Sequence, residues 1–284
     1  MVAKIQIITD SMTDVPQDII DKYQIKVIPL KVYFGDKEYR DGIDLTYPEF
    51  YKKLSESKDL PKSAQVTPAE FVEAFEQVMA EGKEILCING SSRASGTYQS
   101  AFLAKKEIGC EKLKVFDTMS LSCGGGLFVY EAAKMVEAGA TMYEILDRLD
   151  DLKPKVDHIF TVDTLEYLKK GGRLSPMKAA IAGILNIKPI LTVTNGLVEQ
   201  LNKARGNKNV MSKIMELAKQ RGGDLSNKTV ALAHAHSADP EKLEELKQEV
   251  LAELKPKELI VREIGCTIGV HTGPGAWGVF YFRD

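Results

Sequence analysis

The chain has 284 residues, 44% of them hydrophobic and 27% charged, ordinary values for a soluble globular protein of one large or two medium domains. Thirty-eight Lys and Arg stand against 40 Asp and Glu, a formal net charge of −2, which supplies no global basic field for nucleic acid. Aromatic residues are 7% with one Trp, which argues against a carbohydrate-binding aromatic platform, and a chain this long buries a core without disulfides or a structural metal.

The opening MVAKIQIITD is too short and too soon interrupted by an acid for a signal peptide. The most apolar stretch, 179–187, contains Gly and Asn and ends at Lys188, well short of the roughly 18 apolar residues of a membrane span. A soluble, cytoplasmic protein is therefore expected. Short β-rich runs predict strands at 4–9, 26–33, 84–89, 113–117, 158–162, 190–194, 229–234, 259–264 and 277–282. Amphipathic runs between them predict helices. Thr67-Pro68-Ala69-Glu70 has the residue types of a capping box with Pro at the first helical position. Thr141 and Glu144 repeat that logic, and Asp239-Pro240 opens a helix with a stripe of Leu243, Leu246, Val250, Leu251 and Leu254. Two further helices are expected at 164–170 and 175–186.

Strands alternating with helices imply an α/β protein. The first half reads as a parallel, doubly wound, three-layer α/β/α domain. The spacing of elements changes near Lys153-Pro154-Lys155, which places a boundary between residues 1–155 and an α/β domain with a mixed sheet at 156–284. No internal repeat interrupts this plan. Four scattered cysteines, Cys87, Cys110, Cys123 and Cys266, lack the spacing of a disulfide framework or a zinc site. Cys87 reads as a core residue. Cys123 reads either as packing or as a thiol activated at a helix start.

In open α/β sheets, ligands bind beyond the carboxyl ends of the strands. Small hydroxyl residues and glycines concentrate there: Asp10-Ser11, the run Asn89-Gly90-Ser91-Ser92-Arg93-Ala94-Ser95-Gly96-Thr97, and Asp117-Thr118 with Ser120, Ser122 and the triplet Gly124-Gly125-Gly126. Such loops either capture a carboxylate or phosphate or simply cap helices. Neither a P-loop, a dinucleotide fingerprint nor a G-x-S-x-G elbow occurs. His234 and His236 share a strand face and make a pair of metal ligands conceivable, with no third of matching spacing. Gly171-Gly172-Arg173, with Lys169, Lys170 and Lys178, reads as a helix C-cap or a basic patch. Lys203, Arg205 and Lys208 form a second basic segment. His271-Thr272-Gly273-Pro274-Gly275 reads as a constrained loop around a ligand, or as a tight turn before the last strand.

Several motifs taken together resemble one family. They are IITDS at the start, SGTYQSA at 95–101, TLEYLKKGGR at 164–173, KPIL at 188–191, KAR at 203–205 and HTGPGAWGV at 271–279. In these the chain resembles, from end to end, the DegV family, the fatty-acid-binding proteins that include the FakB-type binding subunits of bacterial fatty acid kinases. The resemblance implies two α/β domains with a long-chain fatty acid such as palmitate, stearate or oleate between them, and the second domain lining an acyl-chain tunnel. It implies a carboxylate held by Ser63 and by Ser95 and Gly96 at a helix start, with His271 and Thr272 nearby. Arg173 and Arg205 then serve the head-group region or the docking of a kinase catalytic subunit. A carrier of this kind needs no cofactor, metal or catalytic residue of its own. The chain departs from the family pattern at Pro61-Lys62-Ser63-Ala64-Gln65-Val66-Thr67-Pro68, where one hydroxyl and one proline are missing, and at Arg93-Ala94. Two rival readings are a hydrolase or phosphotransferase using His271 with Ser95 or Cys123, and a lipid-sensing regulator.

Overall fold

A computed structural model describes residues 5–175, 187–235 and 239–284. The first strand, β1 (Ile5–Asp10), leads through the turn Ser11–Thr13 into α1 (Gln17–Tyr23). Then follow β2 (Lys26–Ile28), β3 (Lys31–Phe34), β4 (Lys37–Arg40), α2 (Tyr47–Glu56) and β5 (Lys62–Ala64). Next come α3 (Pro68–Ala80), β6 (Glu84–Asn89), α4 (Thr97–Ile108), β7 (Leu113–Asp117), α5 (Cys123–Glu137) and α6 (Met142–Leu152). Strand β8 (Val156–Thr161) opens the second half, followed by α7 (Glu166–Lys170), β9 (Ile187–Thr194), β10 (Leu197–Arg205) and α8 (Asn207–Gly222). The chain ends with β11 (Thr229–His234), α9 (Pro240–Leu254), β12 (Glu258–Glu263), α10 (Cys266–Thr272) and β13 (Trp277–Phe282).

Strands β2-β1-β6-β7 form a wholly parallel sheet. Side chains alternate across its two faces, as the strand period requires. Ile5, Ile7, Leu86 and Ile88 enter one core with Phe128, Val129 and Leu149. Ile8, Ile85 and Cys87 enter another with Phe71, Phe75, Ala101 and Ala104. Helices thus cover both faces, a three-layer arrangement. The sequence-expected capping boxes form at Thr67 and Thr141, and Asp239 caps α9 through the Lys242 N–H.

The expected single strand at 26–33 is two strands in different sheets. Pro29 has no N–H to donate and interrupts the ladder. The chain leaves β1 there and builds a small antiparallel sheet, β4-β3-β5. The strands β4, β5 and β10 escape a search for apolar alternation. The first two are only four and three residues long, and β10, LVEQLNKAR, is an edge strand rich in polar residues.

The second half folds on a mixed sheet of order β10-β9-β8-β13-β11-β12. Ile159, Leu232, Val279 and Tyr281 meet Ile214, Leu246 and Val250 of α8 and α9 on one face. The opposite face turns toward the parallel sheet, and α5 touches both sheets. The glycine triplet at the start of α5 makes this approach possible. A Cβ at Gly124 would overlap His158 Nε2 of β8, and one at Gly126 would sit 2.6 Å from the Thr13 carbonyl oxygen. The segment expected as a helix at 175–186 lies, apart from Ser175, outside the described residues, as do Lys178 and His236.

Candidate functional site

A cavity of about 320 Å³ opens where the loops after β1, β6 and β7 face the mixed sheet. This is the carboxyl end of the parallel strands, where α/β folds place ligands. Its walls are mostly apolar, with Leu30, Phe160, Val193, Val198, Ile268 and Phe280 among them. A smaller set of polar side chains converges on it, the usual makeup of a small-molecule site.

Helix α10 contributes three of those polar side chains, Thr267, His271 and Thr272. The sequence reading has His271 leading a loop; the structure places it in the last turn of this helix. The stretch CTIGVHT is rich in β-branched residues and glycine, poor helix formers, so tertiary contacts impose the helix. Asp41 accepts the Cys266 and Thr267 N–H groups at 3.0 and 3.1 Å, and Asp14 accepts that of Gly265 at 2.9 Å. A Cβ at Gly265 would sit 2.7 Å from the Asp14 carboxylate. Tyr51 donates its hydroxyl to the Ile264 carbonyl at 3.0 Å. Cys266 and Val270 pack on Phe50 and Tyr51 of α2, while Thr267, Ile268, His271 and Thr272 line the cavity.

His271 and Ser63 meet across the site, Nε2 to Oγ, at 2.8 Å. Ser63 is delivered by β5, opposite Val32 of β3. Burial, reinforced by the positive charge of Arg173, pulls the His271 imidazole down to about 4, so it is neutral at pH 7. Its Nδ1 is buried without a hydrogen-bond partner among the described residues. Ser95 Oγ accepts the Thr97 N–H at 3.2 Å and pairs with the Thr97 hydroxyl at 2.9 Å. It therefore acts as a helix-start cap and also lines the cavity. Gly96 lies beside it, against the Gln65 side chain, and Gln65 donates to Ser100 Oγ at 3.0 Å. The Thr272 hydroxyl turns back to the Ile268 carbonyl at 3.2 Å.

Arg173 is part of the wall. Its Nε donates to the Ala94 carbonyl at 3.0 Å and its Nη1 to the Gly171 carbonyl, tying the second half of the chain to the serine-rich loop. The Ser91 hydroxyl donates to the Gly196 carbonyl at 2.8 Å from the same loop. Arg205 is not among the lining residues; it is exposed at the end of β10. Thus Ser63, Ser95, Gly96, His271, Thr272 and Arg173 share one cavity and Arg205 stands apart.

The reactive reading of Cys123 fails on geometry. The thiol is buried, does not line the cavity, and burial raises its pKa far above the ordinary range. Neither Ser95 nor Cys123 bonds His271, and no group orients the His271 Nδ1 among the described residues. A nucleophile–base–orienter relay is therefore incomplete. Among the described residues no cluster of three His, Cys, Asp or Glu side chains is arranged to hold a metal ion, and no helix is long and apolar enough to cross a membrane.

Sequence reasoning missed Asp41, Gln65, Thr267 and His158 as parts of the site. Only His158 carried a usable signal: it is a histidine leading an apolar run, on the same face as Phe160.

The comparisons with known proteins agree with this architecture. The sequence model of the DegV family matches residues 4–284. A DegV domain-containing protein of Caldanaerobacter subterraneus is 38% identical over 278 residues, covering 98% of both chains. The structure of a DegV family protein from Thermus thermophilus, described as binding fatty acid, superposes with a TM-score of 0.90 at 32% identity, covering 99% of this chain and 100% of that one. A stearic-acid-binding protein from Eubacterium ventriosum gives a TM-score of 0.91 at 26% identity, covering 98% of each chain. By sequence and by fold, the chain belongs to the DegV family.

Proposed function

We propose that this protein binds a long-chain fatty acid, such as palmitate, stearate or oleate, in the cavity between its two sheets, and presents the carboxylate to a fatty acid kinase. The observation that carries this reading is a mostly apolar cavity with the Ser63–His271 pair and Ser95 in its wall. The fatty-acid-binding relatives support it. In this reading the neutral His271 imidazole carries its proton on Nε2. That N–H then donates to Ser63, and the Ser63 hydroxyl proton is free for the ligand carboxylate. Ser95 is a second donor. The tail supplies most of the affinity, about 0.8 kcal/mol per buried methylene before binding costs, and the hydroxyls fix which end sits where.

The kinase step is a phosphoryl transfer from ATP: a carboxylate oxygen attacks the γ-phosphorus and ADP leaves, giving an acyl phosphate. ATP and its binding site come from the kinase, so this chain needs no cofactor and acts as a non-catalytic, cytoplasmic partner. We place its two domains at 1–155 and 156–284, and assign the exposed Arg205 to kinase docking and Arg173 to the head-group region. Native mass spectrometry of protein purified from cells, with lipid extraction, tests binding. Bound fatty acid is expected; ligand-free protein that also fails to bind palmitate and oleate overturns it. Adding a kinase catalytic subunit and ATP tests presentation: acyl phosphate is expected, and lipid binding with no acyl phosphate leaves a sensor.

A further inference from the structure

The cavity contains a second imidazole that the carboxylate site does not use. His158 projects from β8 on the same face as Phe160 and lines the cavity. Only 1% of it is exposed. Its Nε2 lies 2.6 Å from Ser120 Oγ, while its Nδ1 is buried with no hydrogen-bond partner among the described residues. Around it are the Phe280 ring edge-on at 5.6 Å and Gly124 of α5. Burial pulls it down to about 4, so it is a neutral imidazole with one nitrogen satisfied and the other not.

His158 is separate from the carboxylate end. His271 adjoins Ser63 and Gly171, whereas His158 adjoins Ser120, Gly124 and Phe280. Strand β8 runs from His158 past Phe160, one residue pair or roughly 7 Å on, toward α7, Gly171 and Arg173. His158 pairs with Phe280, three residue pairs inward from the Thr161–Trp277 pair at the end nearest α10, so an acyl chain anchored at His271 meets it beyond its head group.

A purely hydrocarbon tail has no use for such a group. A buried polar atom without a partner is unfavourable, and a site with one discriminates in favour of a ligand that satisfies it. We propose that His158, held by Ser120, makes this cavity selective for an acyl chain carrying an oxygen function part-way along its length, a hydroxyl above all. A hydroxyl fits either tautomer. If Nε2–H donates to Ser120, the ligand hydroxyl donates to Nδ1; if Ser120 donates to Nε2, Nδ1–H donates to the ligand oxygen. The proposal rests on the fatty-acid reading of the same cavity and adds a specificity residue to it.

The test is equilibrium binding of stearate and a positional series of hydroxystearates to the wild-type protein and to His158→Phe. For at least one regioisomer, affinity relative to stearate measured on the same protein is expected to fall about tenfold from wild type to variant. His158→Gln, which keeps a hydrogen-bonding side chain, is expected to recover part of the preference. In ¹⁵N-histidine spectra of the wild-type protein, the favoured hydroxy acid shifts the His158 Nδ1 resonance and stearate does not. The wild-type series and these spectra decide the matter even if His158→Phe fails to fold. Hydroxy acids that all bind more weakly than stearate, with an unmoved Nδ1 resonance, overturn the proposal while leaving fatty-acid binding intact. Failure to bind stearate or any hydroxystearate removes the fatty-acid reading and this inference together.

Discussion

Asp41→Ala is expected to loosen the helix that carries His271. The Asp41 carboxylate accepts three hydrogen bonds: the backbone N–H groups of Cys266 and Thr267 and the hydroxyl of Ser11. Both amides start α10, where no carbonyl within the helix can reach them. Alanine leaves these two buried donors without acceptors, at about 1–3 kcal/mol each, for a total of about 2–6 kcal/mol. Asparagine keeps one acceptor oxygen and replaces the other with a donor, so Asp41→Asn should lose roughly half as much by the same count. Urea denaturation at pH 7 measures this directly. The midpoint should be highest for the wild type, lower for Asp41→Asn and lowest for Asp41→Ala, at constant slope. The binding readout separates positioning from bulk stability. Under conditions where it remains folded, the Asp41→Ala protein should bind stearate less tightly and lose discrimination against stearyl alcohol, because His271 and Ser63 no longer meet in register. Equal midpoints for all three proteins, or an Asp41→Asn protein as unstable as Asp41→Ala, would refute the view that Asp41 holds α10 by its two carboxylate oxygens.

Ser63→Ala and Ser95→Ala should each weaken the acid by about 1.5–3 kcal/mol if they donate to a carboxylate, and the matching alcohol by less; equal losses by titration calorimetry would count against that donor. The buried groups also set the pH profile. His158 and His271 sit at about 4 when folded against 6.5 when unfolded, so the unfolded state binds more protons between those values. Their contribution is fully present above pH 6.5 and is lost as pH falls toward 4. Burial raises Asp10 to about 6 and Asp14 to about 7, which has the opposite sign: the folded state binds more protons above pH 3.8, and stability is lost as pH rises through 6 and 7. The two effects oppose over pH 4–6, so wild-type stability should be nearly flat there. A His158→Gln, His271→Gln protein should become less stable as pH rises across the same range; a wild-type loss of several kcal/mol between pH 6 and 4 would contradict the balance. Finally, Gly126→Ala should lower stability by about 1–3 kcal/mol, because its methyl meets the Thr13 carbonyl 2.6 Å away; an unchanged melting temperature would show that α5 can withdraw freely.

Much of the frame is legible residue by residue. The apolar runs at Glu84–Asn89, Leu113–Asp117, Thr229–His234 and Trp277–Phe282 coincide with the strands, because a strand buried on both faces needs β-branched and aliphatic residues throughout. The hydroxyl-rich loops fall at the strand ends around the cavity, as the parallel topology requires. What stays hidden is equally specific. Strand β5 is the three residues Lys62–Ala64, with too little pattern to detect, yet it delivers Ser63. Helix α10 has a sequence that disfavours helix, and its caps, Asp14 and Asp41, come from more than 220 residues away in the chain.

By itself, the sequence determined the alternation of strands and helices, the helix starts at Thr67, Thr141 and Asp239, and the hydroxyl-bearing loops. Each of these depends on neighbours within a turn or a strand's length, where periodicity and capping act. Only the tertiary structure decided that Ser63 meets His271 across 208 residues, that Arg173 enters the cavity wall while Arg205 does not, and that His158 faces the interior. These follow from how two sheets and α5 pack against one another, and packing joins residues by distance in space, which local pattern does not encode.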